Sequence, residues 1–218
     1  MRPAGACARR TRGRVRPAVA VARAVAGLLA VVPLVGCGPA PGSVATGPRA
    51  TSIPSELIRQ ARPIGRGPRF APPVRGSVPG ACVHRRGPRV ALHVEVFAAD
   101  RVVLVAAGIG TRAPRRLTEG RISHAACYGA LVTLEPTGVV LVRPSVRLTV
   151  GDLFAAWGQP LTATRLASFG GGPVRAFVDG RRRRGPVAAI PLTRHAEIVL
   201  EIGPRVPPHS GYRFPPGT

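Results

Sequence analysis

The segment LTVGDLFAAWGQP, residues 148–160, limits the fold more than any other part of the chain. Thr149 is placed as an N-cap, and Asp152 follows three residues later as a variant of the capping box. Leu148 and Leu153 have the spacing of a hydrophobic staple, and Val150, Leu153, Phe154 and Trp157 share one helical face. Gly158 supplies the C-terminal stop and Pro160 forbids continuation. The helix therefore has about two turns. A helix this short does not stand alone in water and must be held by packing. The other strong patterns alternate as strands do, so the expected fold class is α+β: mainly β, with one short helix.

Several stretches supply the strands. RVALHVEVFAADRVVLVAAGIG (89–110) reads as two strands turning around Ala98 to Arg101. Val90, Leu92, Val94 and Val96 fall on one face, and Ala91, His93, Glu95 and Phe97 on the other. APRRLTEGRISHAA (113–126) reads as a polar loop. ALVTLEPTGVVLV (130–142) is a second hairpin with Glu135-Pro136-Thr137-Gly138 as its turn. VRAFVDGRRRRG reads as a strand, an Asp-Gly turn and a basic return. HAEIVLEIG is a final strand with Ile198, Leu200 and Ile202 inward and Glu197, Val199 and Glu201 outward. Hairpin, helix, strand, turn and final strand resemble the β-grasp fold of ubiquitin-like and sulfur-carrier proteins over residues 131–203. The chain lacks the Gly-Gly terminus of the carriers, so their adenylation and thiolation are not implied. Residues 81–122 would then be an added β-element with its own hairpin. AAGIG, TLEPTGVV, LTVGDLFAAWGQPL and YRFPPG also resemble a group of uncharacterised bacterial secreted proteins and lipoproteins, over most of residues 82–218.

The 218 residues include 27 glycines and 25 prolines, about a quarter of the chain and near the level of disordered sequences. They concentrate in residues 37–80, which show no sustained period and read as a disordered tether, with two turns of helix at 55–61. The single globular domain is expected at 81–218. All 32 basic residues are Arg, against nine acids, for a net charge of +23. A GC-rich genome yields that bias as readily as selection for an anionic partner does.

Residues 1–23 hold seven of these arginines and no acid, and residues 24–35 are uniformly apolar. Twelve apolar residues are too few to cross a bilayer but suit the core of a signal peptide. Leu34-Val35-Gly36-Cys37 follows, and it resembles the lipobox of bacterial lipoproteins. That resemblance implies a signal peptide at 1–36, diacylglycerol on the Cys37 thiol, and a protein anchored on the extracytoplasmic face of the cell membrane. Loss of residues 1–36 would leave a net charge of +16.

Cys82 and Cys127 then remain as a pair in an oxidising compartment, where a disulfide would close a loop of about 45 residues and contribute about 3–4 kcal/mol. For a metal such as zinc or copper the candidates are His93 and Glu95, two apart on one strand face, and His124. No nucleophile elbow, phosphate loop or paired-carboxylate pattern is present, so neither an enzyme nor a cofactor is expected. Arg181, Arg182, Arg183 and Arg184 lie at a hairpin tip, and suit anionic lipid headgroups or cell-wall polymers. Nucleic acid would also attract this charge, but export would separate the chain from it. These residues support a non-catalytic binding or structural domain. The alternatives are an envelope metal-binding protein, or a hydrolase or transferase with an unrecognised site.

Overall fold

The structure, a computed structural model, describes residues 55–214. The signal peptide at 1–36, Cys37 and the tether up to residue 54 lie outside these described residues.

The elements are α1 (Ser55–Gln60), β1 (Val90–Ala98), β2 (Arg101–Val102), β3 (Thr111–Thr118), β4 (Arg121–Tyr128), β5 (Leu131–Val132) and β6 (Val139–Val142). They continue with α2 (Val150–Trp157), β7 (Arg165–Leu166), β8 (Phe169–Gly170), β9 (Arg175–Val178), β10 (Arg181–Arg183), a 3-10 turn (Val187–Ala189) and β11 (Glu197–Ile202). The described residues form a mixed sheet in the order β10-β9-β11-β1-β6-β5, with β2 paired to β1. Its two central strands, β1 and β11, run parallel, and every other pair in it is antiparallel. The expectation of a mainly β, α+β fold is met.

Strand β1 comes from the segment expected to be an addition outside 131–203. It is instead the centre of the sheet, and the hairpin β5–β6 flanks it. Its nine residues are almost all buried, because neighbours cover both faces.

The helix forms as its sequence dictates. The Asp152 amide donates to Thr149 Oγ1 at 3.3 Å, and the Thr149 amide donates to Asp152 Oδ2 at 2.7 Å. Gly158 ends the helix at φ 75°, a left-handed conformation that disfavours any residue with a Cβ. Val150, Leu153, Phe154 and Trp157 face Leu92, Val94, Val96, Val140, Ile198 and Leu200 of the sheet, forming the main core.

Two further expectations are corrected. Residues 113–126, read as a polar loop, form most of the hairpin β3–β4. Strand β3 is exposed on nearly every residue, so it carries no apolar alternation to reveal it. Residues 63–80, read as part of the tether, pack against the domain. The Val102 amide donates to Pro63 O, the Leu104 amide to Phe70 O and the Arg75 amide to Trp157 O. Trp157 Nε1 donates to Pro72 O at 3.1 Å, and Phe70 packs on Phe169 at 4.8 Å between ring centres. A proline-rich strap needs no period, because its backbone carbonyls find partners one at a time.

Cys82 and Cys127 are joined in a disulfide with Cα atoms 5.4 Å apart. The link ties the approach to β1 to strand β4, beside the bridge of Val83 with Tyr128.

Candidate functional site

The face of the sheet opposite α2 carries the chemistry. Successive side chains of a strand alternate faces, so His93, Glu95 and Phe97 of β1 share one side, as do Glu197, Val199 and Glu201 of β11. The parallel register sets His93 directly across from Glu197. The sequence reading turned Glu197, Val199 and Glu201 outward to solvent, yet all of β11 is buried. The cover is the irregular segment 204–214, which returns across this face. The Val206 amide donates to Glu201 Oε2 at 2.8 Å, and Val206 joins Phe97, Phe177 and Val199 in a small apolar cluster.

Each acid of this face is met by a base. Arg175 Nε donates to Glu201 Oε1 at 2.7 Å. His93 Nδ1 lies 2.9 Å from Glu197 Oε2, and His93 Nε2 lies 2.8 Å from the Thr137 carbonyl. His209 Nδ1 lies 2.7 Å from Glu95 Oε2. Tyr212 stacks on the His93 ring at 3.9 Å and 13°. The Glu135–Gly138 turn thus closes its hairpin and also reaches the His93 ring. A Cβ at Gly138 would stand 2.5 Å from Val94 O and 2.8 Å from His93 Nε2, so only glycine fits there.

Both His93 nitrogens face acceptors, an arrangement that holds the charged imidazolium. Burial works against that charge. The hydrogen bond and charge of Glu197 outweigh it, helped by the Thr137 carbonyl and Glu95, and raise the His93 pKa above its ordinary value. Burial also raises the Glu197 pKa, opposed by His93. The Tyr212 phenol is pushed up by burial and by the charges of Glu135 and Glu197.

The metal candidates separate. Ligand atoms of His93, Glu95 and Glu197 lie within 4.8 Å of one another. His124 is not with them: it sits exposed on β4, opposite Arg116. In its place stand Glu197 and, next to Glu95, His209. Sequence reasoning missed both. Glu197 reads as the outward half of an alternating strand, and His209 lies in a tail with no period. The available signal was charge placement: two of the nine acids of the chain fall on one short strand otherwise made of Ile, Val and Leu.

A cavity of about 230 Å³ borders His93 and Glu95 and is otherwise lined mainly by apolar side chains of β1, residues 102–105 and the Pro136–Gly138 corner. Arg181, Arg182 and Arg183 form the edge strand β10, and they and Arg184 are all exposed. The Asp179-Gly180 turn before them has φ of 51° and 74°, the geometry of a tight hairpin.

No family model matches the chain, and no solved structure matches it. A probable ABC transporter permease protein of Sinorhizobium fredii is 32% identical over 95 residues, which are 43% of this chain and 28% of that protein. The chain thus covers less than a third of that relative's length. Among the described residues, no helix is long and apolar enough to cross a membrane.

Proposed function

We propose that this chain is a lipoprotein of the bacterial cell envelope, anchored through Cys37 and presenting a non-catalytic binding domain on the extracytoplasmic side. The observation that carries the reading is the disulfide between Cys82 and Cys127. Such cross-links persist in oxidising compartments. The apolar run at 24–35, ending in Leu34-Val35-Gly36-Cys37, supplies a route to one. Two acyl chains hold a protein at a membrane far more firmly than one, since each buried methylene contributes about 0.8 kcal/mol.

A β-grasp-like domain is supported by a parallel central pair of β1 and β11, antiparallel neighbours β6 and β9, and a helix between β6 and β9 in the chain. In this reading the first strand of the grasp is β1, and residues 101–132 are an insertion. The exposed Arg181–Arg184 edge suits contact with anionic headgroups or wall polymers.

The test is an intact mass of membrane-extracted protein, with and without reduction, beside Cys37→Ser. The expected mass is that of residues 37–218 plus diacylglycerol, two daltons lighter before reduction. A cytosolic protein retaining residues 1–36 would overturn the reading.

A further inference from the structure

We propose that His93, Glu95, Glu197 and His209 form a binding site for one divalent transition-metal ion of the zinc type. The inference rests on the domain being a binding module and not on its anchor, so the mass measurement and the metal measurement fail separately.

The donor set comes from three parts of the chain, converging on one covered face. Nitrogen and carboxylate oxygen are the ligands zinc takes from proteins when no thiolate is present, with bonds of about 2.0–2.2 Å. His93, Glu95 and Glu197 already hold their ligand atoms within 4.8 Å. Glu95 in turn places His209 Nδ1 at 2.7 Å. Atoms around a tetrahedral zinc lie roughly 3.4 Å apart, given those bond lengths. The widest pair of those three must therefore close by up to about 1.4 Å, and His209 must move in toward His93 and Glu197 with Glu95. Glu95 and His209 have room for it, since their side chains are 19% and 25% exposed, against 1% for Glu197.

The surroundings of His93 are those of a metal ligand. A ligating histidine commonly donates its other ring N–H to a carbonyl or carboxylate, which fixes the tautomer and aims the free nitrogen at the ion. Thr137 O is that acceptor for Nε2, leaving Nδ1 directed at the carboxylates. Gly138 permits the turn to come this close, and the Tyr212 ring stacked on His93 prevents it from rotating away. The charges also balance. The two carboxylates of Glu95 and Glu197 match the charge of one divalent cation.

The experiment uses the full chain, stripped with chelator and titrated with Zn²⁺ by calorimetry and with Co²⁺ by visible absorption. The expected result is one ion per chain, cobalt bands of a low-coordinate site, and a melting temperature raised by roughly 5–10 °C at hundredfold excess over Kd. Glu95→Gln and His209→Ala sit at the more exposed half of the site and should each weaken binding by about 100-fold or more, beyond what loss of an outer-shell partner does. His124→Ala should bind as the unaltered chain does. Circular dichroism of each variant establishes that it folds, and the cobalt spectrum of the unaltered chain reports the site without any substitution. Absence of stoichiometric binding at millimolar Zn²⁺ would overturn the proposal. So would binding that persists undiminished in a folded Glu95→Gln/His209→Ala variant.

Discussion

The sheet buries one face beneath α2 with Trp157, Phe154 and Leu153, and the other beneath residues 204–214 with carboxylates, imidazoles and a guanidinium. Non-directional burial closes the first face: what matters there is volume and apolar area. On the second, each charged group taken out of water needs a specific partner at hydrogen-bond distance. Strand β11 serves both faces at once, with Ile198, Leu200 and Ile202 on one side and Glu197 and Glu201 on the other. The first face is held by close packing of apolar volume, whereas the second sets His93 opposite Glu197 in the register of β1 against β11.

The largest break in this comparison is Trp157→Ala. It should cost about 3–5 kcal/mol in chemical denaturation, because the ring is fully buried and the strap at Pro72 loses its donor. Next is Glu197→Ala, expected to cost about 3 kcal/mol by leaving the His93 imidazolium buried without its counter-ion. The two faces then part company in the double variant. His93→Leu with Glu197→Met should cost less than either single change, since a matched apolar pair needs no counter-ion. No such rescue exists for Trp157→Ala, and a double variant costing as much as the sum of the singles would show that the ionic face adds net stability.

Acidity sharpens the contrast further. The folded state raises the pKa of His93, so its stabilisation is complete below pH 6.5 and is lost as pH rises through the folded value. Glu197, raised by burial, acts in the same direction, but its contribution begins to fall above the ordinary carboxylate value of 4.5, before that of His93 does. Melting curves of the metal-free protein should therefore show stability declining above pH 6.5, by at most about 1.4 kcal/mol per pH unit for each proton. In Glu197→Ala the slope from His93 should weaken, because burial then opposes the charge with only the Thr137 carbonyl and Glu95 left to support it. A slope unchanged by that substitution would place the titration elsewhere. The smallest effect is that of His209→Ala on the metal-free protein, up to about 1 kcal/mol, since the His209–Glu95 pair is partly exposed to water.

The first face was legible in the sequence and the second was not. LTVGDLFAAWG announces its helix through cap, staple and stop within eleven residues, and the Leu92-Val94-Val96 and Ile198-Leu200-Ile202 alternations mark the strands it covers. These signals are local and periodic. The site is neither. His93 and Glu197 are 104 residues apart, and the turn that supplies Thr137 O belongs to a third element. The same rule that orients Ile198 inward assigns Glu197 to solvent, unless a further layer is known to lie above it. That layer, residues 204–214, has no period to announce it, as the strap at 63–80 has none. His93 and Glu95 share the strand face that the alternation assigns them, because two residues on one strand are a local matter, whereas His124 lies apart on a hairpin that carries no apolar pattern.

The parallel pairing of β1 with β11 imposes an order in time. Antiparallel neighbours can close as soon as a short turn is made, and β5–β6 and β9–β10 are of that kind. The central pair cannot, because Val94 must wait for Ile198 before the sheet has a middle. During synthesis the nascent chain therefore exposes an incomplete core until almost all of the domain has left the ribosome, and contacts of such high sequence separation form slowly. A chain built this way has its first long strand in hand long before the partner that gives the sheet its centre, so the last strand made is the one that completes the fold.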